Sequence, residues 1–208
     1  MSDIIAKLAL KTISNWFMLM SELSVEWQKM ISGEIYDACD EYIISKLSQT
    51  RTKIWEFNAL NPDNVAEARN ILRGLLGQYG ERFHFNAPFR CDYGCNISIG
   101  ENFFANFNLT ILDEAPVTIG DNAFIGPNVS IYTACHPLDA AERNTRQEWA
   151  EPVTIGDNVW IGGSATICPG VTIGDNVVIG AGSVVTRDIP SDVVVAGNPA
   201  KIIKTLKS

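Results

Sequence analysis

The chain has 208 residues, with 16 Lys and Arg against 24 Asp and Glu, which gives a net charge of 16 − 24 = −8. This acidic balance argues against a nucleic-acid partner, because a phosphate backbone needs a concentrated basic surface. With 46% hydrophobic and 19% charged residues, the composition is that of a folded globular protein. The length allows one large domain, or one domain with a small appendage.

Five cysteines without a CxxC pair fit neither a complete set of disulfides nor a tetrahedral zinc cluster. We therefore expect reduced thiols and a cytoplasmic protein. Residues 1–20 are apolar, but Lys7 and Lys11 interrupt them, and a membrane span needs about 20 unbroken apolar residues. We interpret them as an N-terminal extension and not as a signal peptide. A membrane partner is not expected, although a peripheral amphipathic helix is left open.

Residues 21–92 have a helical pattern. An amphipathic helix is predicted to start at the Asn-Pro-Asp sequence of residues 61–63 and to end at Gly77 and Gly80. Its buried stripe consists of apolar residues three or four positions apart, namely Val65, Ala68, Ile71, Leu72, Leu75, Leu76 and Tyr79. Residues 39–57 predict an earlier helix. Both helices need another surface to pack against.

The second half of the chain contains an internal repeat. The hexapeptide VTIGDN begins at Val117, Val153 and Val171, and the related ISIGEN begins at Ile97. The last two copies are 171 − 153 = 18 residues apart. In this region an aliphatic residue recurs every six positions without a slip, at Ile155, Ile161, Ile167, Ile173, Ile179 and Val185.

Each hexapeptide predicts one short strand and one tight corner. Two inward positions flank one outward position, and Gly, Asp and Asn tolerate the backbone angles of a corner. One strand cannot bury its aliphatic residue alone, so neighbours must stack, and 18 = 3 × 6 implies three strands per coil. The predicted fold class is mainly β, with a parallel β-helix over residues 93–200. It follows the α-helical region of residues 21–92 and precedes a tail, residues 201–208.

The repeat is interrupted twice. One step is eight residues long, after Ile111, and another is 24 residues long, after Ile131. Residues 133–151 have no six-residue register and are predicted to protrude from the prism as a loop. Long loops on a regular scaffold are usually functional or disordered. This one carries His136, one of two histidines in the chain.

Several strings of the sequence are characteristic: ANFNLTILDE, the loop motif YTACHPLDAAERN, the segment VTIGDNVWIGGSATICPGVTIGDNVVIGAGSVVTRDIP, the ending GNPAKIIK, and YDACDE and RCDYG upstream. Together they resemble the maltose/galactoside O-acetyltransferase group of the hexapeptide-repeat acyltransferase family, over roughly residues 21–204. The resemblance implies a left-handed parallel β-helix and a homotrimer with sites between subunits. It also implies transfer of acetyl from acetyl-CoA to a sugar hydroxyl.

His136 is the predicted general base. An alcohol that attacks a thioester must lose its proton near neutral pH, and an imidazole can accept it, for an acceleration of about 10²–10⁴-fold. The alternative is an ordinary exposed loop histidine. The neighbouring Cys135 suggests a covalent acetyl-cysteine, but adjacent side chains on an extended strand point in opposite directions, and the resemblance implies direct transfer. His84, between apolar residues, is expected to be structural.

The resemblance implies four acceptor-binding residues, Asp37, Asp92, Asn106 and Glu114. Taken alone, Asp37 could be a solvated acid, Asn106 and Glu114 could be corner residues, and Asp92 could cap a turn. Glu114 stands where galactoside-type enzymes have an aspartate, and Phe104 stands where they have a tyrosine. Lys46 falls near the position of an acceptor-binding arginine, across a gap in the register.

CoA carries a diphosphate and a ribose phosphate, so an acidic protein must supply local positive charge to bind it. The resemblance implies CoA contacts from Asn106, Trp160, Gly163, Ala181, Thr186, Arg187, Lys201 and Lys204. Gly163 replaces a serine, which leaves only its amide as a donor to the thioester oxyanion. The alternative for these residues is solubilising surface and ordinary corners.

Trp160 is predicted to point out of the prism, because Val159 and Ile161 point inward by the strand period. Phe124 and Val178 are predicted to point outward as well. A prism face with such residues indicates packing against other copies, which agrees with the homotrimer that the resemblance implies.

Other functions fit the sequence less well. A carbonic-anhydrase-like enzyme on the same architecture needs three histidines around each zinc, and the chain has two, so no metal is expected. A non-catalytic scaffold is opposed by the HPLD loop and the basic C-terminal region. A non-sugar acceptor, such as an antibiotic or amino acid, or a nodulation-type oligosaccharide, is left open.

Overall fold

Three helices and one short strand form the N-terminal part of the computed structural model, which describes residues 24–206. They are α1 (Val25–Ser32), β1 (Tyr36–Asp37), α2 (Glu41–Ala59) and α3 (Val65–Arg73). The Ser24 side chain caps α1 by accepting the Trp27 N–H, and Asp40 caps α2 by accepting the Tyr42 and Ile43 N–H groups. The predicted extension of residues 1–20 lies outside the described residues. No helix within residues 24–206 is long and apolar enough to cross a membrane.

Helix α3 begins later than the sequence predicted. The Asp63 N–H donates to Asn61 Oδ1 at 3.0 Å, so the Asn-Pro-Asp sequence forms a turn of its own. Pro62 is therefore not the first helical residue. The residue before the helix is Asn64, whose side chain makes no capping hydrogen bond.

Helix α3 also ends earlier than predicted, at Gly74 and not at Gly77 or Gly80. The Gly77 N–H donates to Ile97 O at 3.0 Å, so the chain already pairs with the β-helix there. A Cβ on Gly77 would lie 2.1 Å from Cys95 O. The glycine is needed for this close approach of two backbones, and not as a helix stop.

Three sheets form the faces of a prism. The first contains β4 (Ile97–Ile99), β7 (Val117–Ile119), β12 (Val153–Ile155) and β15 (Thr172–Ile173). The second contains β2 (Phe83–Phe85), β5 (Phe103–Ala105), β8 (Phe124–Ile125), β13 (Trp160–Ile161), β16 (Val178–Ile179), β18 (Val193–Ala196) and β19 (Lys201–Thr205). The third contains β3 (Phe89–Cys91), β6 (Leu109–Leu112), β9 (Ser130–Tyr132), β14 (Thr166–Ile167) and β17 (Val184–Val185).

Consecutive strands of the prism visit the three sheets in turn. Strands β12, β13 and β14 form one coil, and β15, β16 and β17 form the next coil in parallel register. The prediction of three strands per coil is therefore confirmed, and the fold is the left-handed parallel β-helix.

The β-helix begins upstream of the predicted residue 93. Phe83 in β2 pairs in parallel with Phe103 in β5, and Phe89 in β3 pairs with Leu109 in β6. This first coil is filled by aromatic side chains and lacks the aliphatic repeat, which is why the hexapeptide pattern does not mark it. At the other end, the predicted tail contains β19, which runs antiparallel to β18.

The inward aliphatic residues stack directly over one another. Ile99, Ile119, Ile155 and Ile173 are register partners on successive strands of the first sheet, and all four are buried. Each coil thereby buries its aliphatic residues against the coils before and after it, as the repeat requires.

Each residue of the Gly-Asp-Asn corner has a separate role, as Gly120, Asp121 and Asn122 illustrate. A Cβ on Gly120 would lie 2.2 Å from Asp157 Oδ1, which accepts the Asp121 N–H at 2.7 Å. Asn122 has a positive φ of 56°, a conformation that asparagine tolerates, and its Nδ2 donates to Asn158 Oδ1 at 3.2 Å. The corners thus bond to each other from coil to coil.

The N-terminal elements pack beside the prism through a second apolar cluster of Trp27, Met30, Tyr36, Ile43 and Tyr93. The Trp27 and Tyr93 rings meet edge to face with centroids 5.0 Å apart. Thr50 Oγ1 of α2 also donates to Tyr93 O at 3.0 Å. The cluster fixes β1 and the turn after β3, and both carry predicted acceptor residues.

The stacking predicts that substitutions at two neighbouring positions of one strand have very different effects on the free energy of unfolding. Ile119→Ala should lower the free energy of unfolding by about 2–5 kcal/mol, because it leaves a cavity in the stack. Thr118→Ala, on the exposed side of the same strand, should change it by about 0.5 kcal/mol or less. Urea titrations at one protein concentration measure both. Equal effects would contradict the inward stack.

Candidate functional site

The protruding loop is ordered by its own hairpin. Residues 133–151 contain β10 (Ala134–Cys135), α4 (Ala140–Arg143) and β11 (Gln147–Ala150). Strand β11 pairs antiparallel with β10 on one side and with β1 on the other. This three-stranded sheet places β1, from near the start of the described chain, directly beside the loop.

His136 follows β10 and is oriented by a carboxylate. Its Nδ1 lies 3.3 Å from Glu148 Oε2 on β11, and the His136 side chain is 55% exposed. The Tyr36 hydroxyl donates to the other carboxylate oxygen, Glu148 Oε1. Glu148 thus contacts Tyr36 through one carboxylate oxygen and His136 Nδ1 through the other, and His136 Nε2 takes no part in this pair.

Sequence reasoning did not identify Glu148 or Tyr36. Their positions are 112 residues apart, and they meet only because β1 pairs with β11. Residues 147–150, Gln-Glu-Trp-Ala, do not alternate between polar and apolar, so the sequence carries no strand pattern that could have found Glu148.

Asp92 and Glu114 lie side by side, as their shared assignment to the acceptor site requires. Burial, followed by the charge and hydrogen bond of Asp92, raises the pKa of Glu114 well above its usual range. Glu114 Oε2 also lies 3.3 Å from Thr133 Oγ1. Burial next to Asp92 therefore favours the protonated form of Glu114, which can both donate and accept a hydrogen bond.

Asp113 fixes the turn that carries Asp92. Its Oδ1 accepts the N–H groups of Asp92 and Tyr93 at 3.0 and 2.9 Å, and burial raises the pKa of Asp113 to about 7. Its Oδ2 is buried and has no hydrogen-bond partner. Asp113 was not predicted from sequence, because the adjacent Glu114 matched the family position.

Asp37 lies on β1, opposite Gln147 and next to the Tyr36 that contacts Glu148. Its Oδ1 accepts the Cys39 N–H at 2.9 Å, and its side chain is exposed. Asp37 therefore lies on the three-stranded sheet whose strand β10 precedes His136.

The fourth acceptor candidate, Asn106, lies elsewhere, on a groove of about 410 Å³ along the second sheet. The groove is lined by four of the predicted CoA residues, Asn106, Trp160, Gly163 and Ala181, and by Phe104, Phe124 and Val178. Trp160 and Phe124 are 57% and 54% exposed, and they are register partners. The prediction that Trp160 and Phe124 point out of the prism is confirmed.

The basic CoA candidates lie beyond the C-terminal end of the groove. Lys201 and Lys204 are on β19, paired through β18 with the sheet that carries Trp160. Thr186 and Arg187 follow β17 on the neighbouring sheet, and all four side chains are exposed. An apolar groove with cations at one end fits the pantetheine arm and phosphates of CoA.

Within one chain, the groove and the His136 cluster belong to different parts of the prism. The groove follows the second sheet, whereas Asp92, Glu114 and the protruding loop follow strands of the third sheet. The groove and the His136 cluster therefore lie on different faces of one chain.

Three further residues from the sequence analysis, Cys135, Lys46 and His84, are described by their own burial and contacts. Burial, with the charges of Glu151 and Glu114, raises the pKa of Cys135 to about 11, which disfavours a thiolate. Lys46 Nζ lies over the Tyr42 ring, 5.3 Å from its centroid, within α2. His84 faces outward and stacks on Phe104 with ring centroids 5.7 Å apart.

Three family descriptions match segments of the chain. Residues 29–80 match "Maltose acetyltransferase hexapeptide capping motif", residues 116–133 match "Hexapeptide repeat of succinyl-transferase", and residues 152–187 match "Bacterial transferase hexapeptide (six repeats)". The first covers the helical region, and the other two cover the β-helix.

Comparisons that cover most of the chain also find acetyltransferases. A putative acetyltransferase of Saccharomyces cerevisiae is 53% identical over 180 residues, which cover 86% of this chain and 92% of that protein. The crystal structure of a maltose O-acetyltransferase from Clostridium difficile 630 is 48% identical, with a TM-score of 0.87 over 89% of this chain and 99% of that one. A galactoside acetyltransferase in complex with coenzyme A is 41% identical, with a TM-score of 0.85 over 89% and 92%.

The raised carboxyl pKa values predict that wild-type stability falls as the pH rises. The unfolded chain releases the Glu114 and Asp113 protons near pH 4.5 and 3.8, whereas the folded chain retains them to higher pH. In that range the folded state binds more protons than the unfolded state. The free energy of unfolding therefore falls by about 1.4 kcal/mol per unit of pH increase for each proton that only the folded state retains.

Glu114→Gln removes the larger of these titrations. The free energy of unfolding of the variant minus that of the wild type should therefore increase from about pH 5 to about pH 8 in urea titrations. Glu142→Gln, on the exposed face of α4, should give a constant difference. A constant difference for Glu114→Gln would contradict a buried, protonated Glu114.

Proposed function

The chain belongs to the hexapeptide-repeat acetyltransferases and is an acetyl-CoA-dependent acetyltransferase of the maltose/galactoside O-acetyltransferase type, and we propose that its acceptor is a sugar hydroxyl activated by His136. The pairing of His136 Nδ1 with Glu148 carries this proposal. Without a partner that orients its ring, His136 would be indistinguishable from an ordinary exposed loop histidine. Membership of this family excludes the non-catalytic scaffold.

His136 acts as a general base through Nε2. The acceptor hydroxyl gives its proton to Nε2, and its oxygen attacks the thioester carbon of acetyl-CoA directly. The C–S bond then breaks, so that the acetyl group stays on the acceptor oxygen, and the CoA thiolate takes the proton from Nε2 and leaves as the free thiol. Glu148 stabilises the imidazolium that forms, because its carboxylate lies 3.3 Å from Nδ1. Tyr36 holds Glu148 in place from the opposite side.

Direct transfer is favoured over an acetyl-cysteine intermediate. The pKa of Cys135 is raised to about 11, so its thiolate is scarce at neutral pH. A thiol without a base is a weak nucleophile. Cys135 Sγ points toward Thr133 O, at 3.8 Å.

The acceptor site is assigned to Asp37, Asp92 and Glu114. A sugar presents hydroxyls that both donate and accept, and a protonated Glu114 beside Asp92 offers both functions within one site. Maltose and galactoside are named in two of the similar structures, which supports a sugar over an antibiotic or an amino acid.

Acetyl-CoA is the co-substrate, and we assign it to the groove. Trp160 and Ala181 would line the pantetheine arm, the Gly163 amide would face the thioester oxygen, and Asn106 would lie at the acceptor end. Beyond the groove, Thr186, Arg187, Lys201 and Lys204 would contact the phosphates.

A homotrimer would complete the site. The groove and the His136 cluster lie on different parts of one chain, so a threefold ring can bring the groove of one copy against His136 of the next. The exposed Phe124 and Trp160 ladder supports this arrangement, since large apolar side chains are usually covered.

A cytoplasmic location is also part of the proposal. The five cysteines, all within residues 24–206, are free, as is typical of a reducing compartment.

Thiol release from acetyl-CoA with maltose, glucose, galactosides and amino sugars tests the chemistry. A sugar should stimulate release, and His136→Ala should lower kcat by about 10²–10⁴-fold. Glu148→Gln should also lower kcat, whereas Cys135→Ala should leave it largely intact. Loss of activity in Cys135→Ala comparable to that in His136→Ala would overturn direct transfer.

Light scattering at micromolar concentration tests the assembly. The chain has a mass of 22.8 kDa, so the trimer should give 3 × 22.8 = 68.4 kDa. Trp160→Glu should lower the mass, because it places a charge on the groove face. Trp55→Glu, at a tryptophan on α2 that is 71% exposed, is the matched control and should leave the trimer unchanged. A monomer in the wild type would contradict the proposal.

A further inference from the structure

Thr133 is a polar residue at the root of the protruding loop, and it is fully buried. It follows β9 directly, and His136 lies three residues further along the chain. Neither the proposed base nor the proposed acceptor site includes its side chain. A buried hydroxyl is unfavourable unless it is hydrogen-bonded, so the contacts of this one are informative.

The backbone of Thr133 closes the neck of the loop. Its N–H donates to Leu112 O of β6 at 3.1 Å, and its carbonyl accepts the Glu151 N–H at 2.9 Å. Thr133 is therefore attached both to the preceding coil and to the far end of the loop. A shift of this residue would also move the paired strands β10 and β11, on which the positions of His136 and Glu148 depend.

The side chain of Thr133 contacts the other interruption of the repeat, the lengthened step between β6 and β7. Its Oγ1 accepts the Ala115 N–H at 3.0 Å and donates to Leu112 O at 2.8 Å. The same Oγ1 lies 3.3 Å from Glu114 Oε2. One hydroxyl thus contacts the step that carries an acceptor candidate, and the backbone of the same residue holds the loop that carries the base.

A regular corner uses the side chain of an aspartate in the next coil to accept a backbone N–H, as Asp157 Oδ1 accepts the Asp121 N–H at 2.7 Å. In the lengthened step, the Thr133 hydroxyl accepts the N–H of the buried Ala115. Without the hydroxyl, this N–H would lose its acceptor and Glu114 would lose one of its contacts.

We propose that Thr133 is a positioning residue, whose hydroxyl fixes Glu114 of the acceptor site relative to the hairpin that carries His136. This inference rests on the proposed acceptor site and base. The two groups come from separate interruptions of the repeat, and a sugar held by one must present a hydroxyl to the other. A side chain that only fills space would not need the hydroxyl, so the effect of a substitution should depend on that group.

Thr133→Val removes the hydroxyl and keeps a similar shape. In thiol-release assays with acetyl-CoA and a sugar, KM for the sugar should rise about three- to tenfold, as expected for one lost hydrogen bond, while kcat and KM for acetyl-CoA stay within about twofold. Thr133→Ser keeps the hydroxyl and should restore the sugar KM to near the wild-type value.

Thr166→Val is the matched control, because Thr166 lies on β14 of the same sheet and is only partly buried. It should leave both KM values unchanged. A loss of stability alone would lower the active fraction, and therefore kcat, without raising KM for the sugar. An unchanged sugar KM in Thr133→Val, or an equal rise in Thr133→Ser, overturns the inference. If Thr133→Val does not fold, Thr133→Ala removes the same hydroxyl.

Amide hydrogen exchange separates this inference from the proposed function. Thr133→Val should accelerate exchange in peptides that cover residues 112–116 and 133–151, whereas Thr133→Ser and Thr166→Val should not. If exchange is accelerated in both segments but the wild type acetylates no sugar, the sugar acceptor is overturned and the role of Thr133 in holding the two segments stands. Unchanged exchange in Thr133→Val overturns that role, whether or not a sugar is acetylated.

Discussion

Parallel register between successive coils is the constraint on which the structure depends. An inward residue must lie over another inward residue, as Ile119 lies over Ile99 and under Ile155, because a slip of one position would turn every aliphatic side chain to solvent. The same register aligns outward residues. Trp160 lies between Phe124 and Val178 on the second sheet. The stacking that builds the core therefore also aligns the side chains of the groove wall.

The proposed base and the acceptor candidates Asp92 and Glu114 lie next to strands where the six-residue repeat is absent or interrupted. The lengthened step after Ile111 carries Asp113 and Glu114, which are buried, whereas the aspartates of the six-residue corners, such as Asp121, are exposed. The long step after Ile131 releases the hairpin that carries His136 and Glu148. A regular coil provides rigidity, and an interruption provides a place for polar groups that the core excludes.

Much of this arrangement could be predicted from sequence, because the six-residue period is strong and local. The inward ladder, the corners, the protruding loop and the outward Trp160 all follow from spacing. The parts that were missed depend on contacts between distant segments. Glu148 acquires its role only when β1 pairs with β11, and the first coil uses aromatic residues that carry no repeat. Likewise, the protonated state of Glu114 depends on burial, which one position in a sequence does not reveal.

The reversal of direction at β19 limits the length of the assembly. A stack of parallel strands ends in an unpaired edge, and the edge of one prism would match the first strand of another. Because β19 runs antiparallel to β18, the last edge of the second sheet no longer offers the strand direction that a further coil requires. At the opposite end, Phe57 and Leu72 of the helices pack into the core that includes Phe83 of the first coil. Both features oppose the addition of a further coil, β19 at the C-terminal edge of the second sheet and the helices at the first coil.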